Sequence, residues 1–215
     1  MNFDKFYCKE NKYFSQNQSD GMQSFLEKYN LHQGNALDIG AGEGRNSVFL
    51  SKIGFNVVAI EPSKEGCKKI VDEINKNKLN IQVENLEFLQ YDTTMKFDFI
   101  VALTSLSHMD YNKIDDTIKK IYNLLNTNGY IYVVDFTEDD PGYLKDVKNA
   151  SECAMYVNHY FKKNELKQLF ENFEILYYNE YTKEDNTHGK PHYHGKVKLF
   201  ARKLQWFWNR NIANY

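Results

Sequence analysis

A chain of 215 residues is long enough for one sizeable core and short for two full domains. Hydrophobic residues at 42% and charged residues at 26% exclude a disordered chain, and a formal charge of −2 gives no bulk attraction for nucleic acid or an anionic membrane. Three cysteines without a CxxC pair exclude a disulfide framework, and no run reaches the ~20 apolar residues of a membrane helix, so a cytoplasmic protein with no membrane partner is expected.

Met1 to Lys5 lead into no apolar run of the kind a secretory signal requires. Residues 21–29 read as a helix, within an N-terminal cap (1–30) expected to cover the sheet edge and the ligand crevice. Residues 36–39 form a short apolar run that ends in Gly40. Helical spacing follows over 45–53, with Val48, Phe49 and Ile53 on one face. Residues 56–60 are a β-branched strand, and Ser63 is placed to cap a helix through Cys67, Ile70, Val71 and Ile74. Strands are predicted over 81–83 and 97–103. A helix over 113–125 is stopped by Asn128-Gly129, and a strand over 130–134 follows. Residues 161–170 look helical. Residues 173–178 and 196–201 look like two strands with no helix between them, able to pair antiparallel.

Apolar strands alternating with helices predict a doubly wound α/β fold. The expectation is a seven-stranded, mostly parallel sheet with an antiparallel C-terminal strand pair. One domain spans 1–203. The tail 204–215 carries Trp206 and Trp208, which either pack on the protein itself or join a second copy as a homodimer.

The turn after the first strand carries Gly40, Gly42 and Gly44, spaced GxGxG. A dinucleotide fingerprint wants GxGxxG, and its third glycine would be Arg45. Glu43 beside the turn is a poor neighbour for a pyrophosphate. Glu61 ends the second strand about 20 residues on, where a carboxylate accepts both hydroxyls of a ribose.

These residues resemble a family. Ala36 to Gly44 look like motif I of the class I S-adenosylmethionine-dependent methyltransferases, and Glu61 matches their acidic residue. Lys96 to Val101 resemble the fourth-strand motif, and Leu125 to Tyr130 the turn before the fifth strand. Within that class, Gly44-Arg45-Asn46-Ser47 with Leu50, Gly54-Phe55 and Val57 is most similar to the tellurite-resistance methyltransferase group, as are Phe161 to Leu166 and Leu199 to Lys203.

The resemblance, over roughly 20–203, implies S-adenosylmethionine as cofactor and S-adenosylhomocysteine as product. It implies that Asp38, Gly40, Ala41, Gly42 and Gly44 hold the methionine end and that Glu61 holds the ribose. Pro62, Asn85 and Leu86 would meet the adenine, and Leu103 and Thr104 would line the methionyl side. Its group also suggests that Arg45 binds an anionic acceptor.

Methyl transfer is an in-line displacement that needs an aligned, dry acceptor. His108, in the loop after the fourth strand, is the expected base. His159 and Tyr160 are expected over the acceptor pocket. His188, His192 and His194 fall within seven positions, and the last two share a face if the segment is a strand. They are assigned to the acceptor, with no resident metal. A zinc-type site or a plain hairpin are the alternatives for this segment.

The function expected is methyl transfer to a small molecule: an oxyanion, a thiol or a small metabolite. Against it stand a non-catalytic cofactor- or metal-binding protein using the His-rich segment and, less favoured, an NAD-dependent oxidoreductase.

Overall fold

A computed structural model of the chain describes residues 3–8, 21–146, 148–151, 154–186 and 190–205. His188 and the two tryptophans of the tail lie outside the described residues.

The chain runs α1 (Asp4–Tyr7), α2 (Met22–Lys28), β1 (Gly34–Ile39), α3 (Arg45–Lys52), β2 (Phe55–Ile60), α4 (Lys64–Asn77), β3 (Ile81–Glu84), β4 (Phe97–Leu103), α5 (Ile114–Leu124), β5 (Leu125–Phe136), α6 (Glu165–Leu169), β6 (Glu174–Asp185) and β7 (His192–Arg202). The seven strands form one sheet in the order β3-β2-β1-β4-β5-β7-β6. β1 to β5 are parallel, and β7 inserts antiparallel between β5 and β6. The predicted fold class is the one observed.

Alternation along each strand sends its side chains to two covered faces. Leu37, Ile39, Ile100, Ala102, Ile131 and Val133 pack under α5 and α6. Ala36, Val57, Phe99, Val101 and Tyr132 pack under α2, α3 and α4. α2 thus lies on a sheet face rather than over the crevice: Met22 and Leu26 are fully buried, and Phe25 stacks on Phe200 at 4.8 Å. The N-terminal segment that reaches the ligand end is α1, where the Asp4 carboxylate accepts hydrogen bonds from Ser63 Oγ and the Glu65 N–H. Ser63 caps α4 as predicted, accepting the Gly66 N–H at 3.1 Å.

Three boundaries differ from the sequence reading. α5 stops at Leu124 because Leu125 already pairs with Phe97, and Asn128, at φ 63°, turns a bulge within β5 instead of ending the helix. The helix expected from 161 shrinks to α6: Phe161 bridges to Thr137, and Asn164 takes a left-handed φ of 62°. The last two strands are much longer than predicted, pairing from Glu174↔Arg202 to Asp185↔His192. Phe136, at the C-terminal end of β5, pairs with Lys196, so residues 192–195 run past the ligand end of the parallel strands.

Candidate functional site

The strand order reverses between β1 and β4, which opens a crevice at the C-terminal ends of the parallel strands. A cavity of about 850 Å³ occupies it. The glycine turn forms one wall. Gly40 and Ala41 N–H both bond back to the Ile60 carbonyl, at 2.9 and 3.0 Å, folding the turn across the end of β2. Gly40 has φ +70°, and a Cβ there would stand 2.6 Å from Ser105 Cβ. That close approach leaves the backbone itself facing the cavity.

Glu61 sits beside the turn. Its carboxylate accepts the Gly42 N–H at 2.7 Å and the Ser63 N–H at 2.8 Å. Burial pushes its pKa from the ordinary 4.5 up to about 7, against the opposing pull of those two N–H groups. Stability contributed through this group is therefore present at low pH and is lost as pH rises from about 4.5 through about 7. Ligand binding should run the other way, because ribose hydroxyls need the ionised carboxylate as acceptor. Adenosylhomocysteine affinity should rise about tenfold between pH 6 and pH 8, and the rise should vanish in Glu61→Gln. Calorimetric titration across that range measures it, and a flat wild-type profile would contradict the assignment.

The cavity wall includes Gly40, Ala41, Gly42, Glu61, Pro62, Leu103 and Thr104 of the residues expected at the cofactor, and Arg45, His108, Tyr160 and His194 of those expected at the acceptor. Others of the expected set stand behind that wall. Asp38 is buried beneath the turn, where it accepts the Ser47 hydroxyl at 2.6 Å and burial raises its pKa to about 6. Gly44, at φ +83°, is a packing glycine: a Cβ there would meet Ile70 Cγ1 at 2.7 Å. Asn85 donates to the carbonyls of Glu61 and Pro62, at 2.9 and 3.0 Å, and so holds the strand end instead of lining the cavity. Leu86 packs into the core.

His159 also stands off the wall. In an extended segment neighbours point opposite ways, so Tyr160 faces the cavity while His159 turns away. His159 stacks on Tyr111 at 3.6 Å, and its Nε2 meets the Glu165 carboxylate at 3.0 Å. Tyr111 donates its hydroxyl to that carboxylate too. Burial alone would raise the pKa of Glu165, but these bonds and the Lys162 N–H hold it below its ordinary value.

At the acceptor end, His108 Nδ1 lies 2.7 Å from the Tyr156 carbonyl. A carbonyl only accepts, so Nδ1 carries the proton and Nε2 keeps its lone pair. Burial lowers the pKa of His108 despite the nearby Asp135, so the ring is neutral at pH 7. Phe136 lies between two imidazoles, with ring centroids 6.2 Å from His108 and 4.9 Å from His194. Burial also lowers the pKa of His194, against the Asp140 carboxylate 2.9 Å from its Nδ1.

Sequence reasoning missed several wall residues. Phe3 and Tyr7 come from the N-terminal segment, and Asp140, Asp185 and Lys196 from the region around β7. Ser105 also lines the wall, with its hydroxyl buried and without a hydrogen-bond partner among the described residues. None sits in a motif. Only Ser105 had a positional signal, two residues beyond the end of β4.

A family profile described as tellurite resistance protein TehB matches residues 6–200. A Haemophilus influenzae (strain 10810) protein named probable S-adenosyl-L-methionine-dependent methyltransferase TehB is 27% identical over an alignment of 189 residues that covers 81% of this chain and 59% of that one. The chain therefore spans less than two thirds of that relative. The crystal structure of TehB from Haemophilus influenzae superposes with a TM-score of 0.70 at 23% identity, covering 86% of this chain and 63% of the other. The magnesium protoporphyrin IX methyltransferase of Synechocystis PCC 6803, solved with bound SAH, gives a TM-score of 0.66 at 16% identity, covering 86% and 80% of the two chains. These two structural likenesses speak to the fold.

Proposed function

Since this chain belongs to the TehB family, we propose that it is an S-adenosylmethionine-dependent methyltransferase acting on a small-molecule acceptor. The observation that carries the reading is Glu61. Its buried carboxylate is aimed by two backbone N–H groups beside a glycine turn whose backbone faces the cavity. The Ser105 hydroxyl, buried and without a partner among the described residues, offers a further polar contact at the same wall.

The cofactor, when bound, supplies an electrophilic methyl group on a sulfonium. The rest is the work of this chain. Glu61 accepts the ribose hydroxyls, Pro62 and Glu87 flank the base, and Gly40 to Gly42 with Leu103 and Thr104 hold the amino-acid end. Arg45 lines the same cavity and draws an anionic acceptor toward it. Phe136 and Tyr160 keep water from the acceptor. His108, neutral with a bare Nε2, accepts the acceptor's proton as transfer proceeds.

Glu61→Ala should weaken adenosylhomocysteine binding by about 1–3 kcal/mol, or roughly 5- to 150-fold. Titration of the wild type and the variant with adenosylhomocysteine and with NAD measures it. An unchanged dissociation constant would remove the ribose assignment, and tight NAD binding without adenosylhomocysteine binding would favour an oxidoreductase. Methyl transfer from labelled cofactor to a panel of oxyanions, thiols, amines and phenols then identifies the acceptor.

A further inference from the structure

The geometry points to a divalent metal site at the acceptor end of the cavity, with His192, His194 and Asp185 as ligands and Asp140 orienting His194. Ligand atoms of the three residues lie within 4.8 Å of one another. The topology brings them together: β6 pairs Asp185 opposite His192, and alternation along β7 puts His192 and His194 on one face, 5% and 3% exposed.

The tautomers carry the argument. His192 Nδ1 lies 2.6 Å from the Lys190 carbonyl, which can only accept, so Nδ1 donates. His194 Nδ1 lies 2.9 Å from Asp140 Oδ2, and it donates there in turn. With Nδ1 donating in both rings, the nitrogen each has left is Nε2, and the two Nε2 atoms face each other at 3.0 Å. Two lone pairs at that distance repel unless a positive charge lies between them. Metal-bound imidazoles show the same outer arrangement, with Nδ1 held by a carboxylate or a backbone carbonyl. Tetrahedral zinc, with Zn–N of about 2.0–2.1 Å, separates its ligand atoms by about 3.3 Å, so a small opening of the pair admits the ion.

The support is built as well. Asp140 is 2% exposed and is fixed by the N–H groups of Gly142, at 2.7 Å, and Gly195, at 3.2 Å. Gly195 allows this because a Cβ there would stand 2.4 Å from Asp140 N. Lys196 Nζ lies 3.9 Å from Asp185 at the edge of the group. Two imidazoles and a carboxylate fit zinc, and three protein ligands leave a fourth position for an exogenous donor. Asp140, Asp185 and His194 line the same cavity as His108, so that position faces the acceptor space. Coordination of an anionic oxygen or sulfur of the acceptor there rests on the methyltransferase reading. The metal site itself does not.

The test uses the full chain without a polyhistidine tag, stripped with EDTA and titrated with zinc against a chromophoric chelator. One zinc per chain is expected. His192→Asn and Asp185→Asn should each weaken it about 100-fold, and Asp140→Asn about 10- to 100-fold. Cobalt in place of zinc should give visible bands of tetrahedral intensity that are lost in His192→Asn. Adenosylhomocysteine titration of the same samples reports whether each variant is folded. Binding of less than one zinc per chain, or binding that survives both His192→Asn and Asp185→Asn, overturns the inference and leaves the two rings sharing a proton. Zinc binding without adenosylhomocysteine binding would instead sink the methyltransferase reading and leave the metal site standing.

Discussion

Replacing His108 with Ala should lower kcat by about 100- to 10,000-fold, the range for removing a positioned base, while adenosylhomocysteine affinity changes little. The ring is half-buried between Phe3, at 5.1 Å, and Phe136, at 6.2 Å between centroids, and is anchored through Nδ1 to the Tyr156 carbonyl. That anchor fixes which nitrogen can take a proton. The sign of the pH dependence follows. Burial lowers the pKa of His108 below its ordinary 6.5, so kcat should hold from neutral pH downward and fall only as the ring protonates below that value. The dependence of cofactor binding on Glu61 proposed above should appear separately, in the dissociation constant near pH 7. Initial rates against pH, with acceptor saturating, separate the two. If kcat of His108→Ala stays within a few-fold of the wild type, His108 is a packed aromatic and the proton leaves by another route. A large loss at an unchanged acid limb would point to disturbed packing instead of lost proton transfer.

Gly44→Ala should destabilise the fold by about 2–5 kcal/mol without touching the ligand directly. Gly44 precedes α3 in a left-handed conformation at φ +83°, where an L-residue loses about 1–2 kcal/mol. Its new methyl would also press on Ile70 Cγ1 at 2.7 Å, and overpacking of this kind costs about 1–3 kcal/mol. Ile70 is fully buried in α4, so it cannot swing into solvent. At about 2–4 °C per kcal/mol for a chain of this size, Tm should fall by about 4–20 °C. Thermal unfolding measures it. Gly40→Ala gives the contrast: there the added methyl enters the cavity wall against Ser105, so ligand affinity should suffer as well. A Gly44→Ala protein with wild-type Tm would refute the packing role.

Much of the fold was legible from local pattern. β4 is an apolar run interrupted only by Asp98, β2 is β-branched, and Ser63 caps α4 as a residue of its type does. The places where local reading failed share a cause. The helix expected from Phe161 yields to a bridge with Thr137, and the helix stop at Asn128-Gly129 becomes a bulge because Leu125 pairs with Phe97. A strand pairing formed by distant residues overrode the propensity of the segment in each case.

The site divides along the same line. The place of Glu61 and the Gly40 to Gly42 turn on the cavity wall could be expected from the chain alone, because a βαβ unit puts the turn and the next strand end side by side whatever surrounds them. Asp38, Gly44, Asn85 and His159 have the right residue types near the right motifs, yet each spends its polar or conformational capacity behind the wall. Sequence spacing locates a residue on its element, but which side faces the ligand is set by what packs against that element. The group of Asp140, Asp185, His192 and His194 shows the limit most clearly. Alternation placed His192 and His194 on one face. Only the antiparallel insertion of β7 carried that face over the crevice and brought Asp140, 54 residues away in sequence, to within 2.9 Å of His194. Chemistry set by neighbours along the chain was in the sequence, and chemistry set by neighbours across the sheet came only with the tertiary structure.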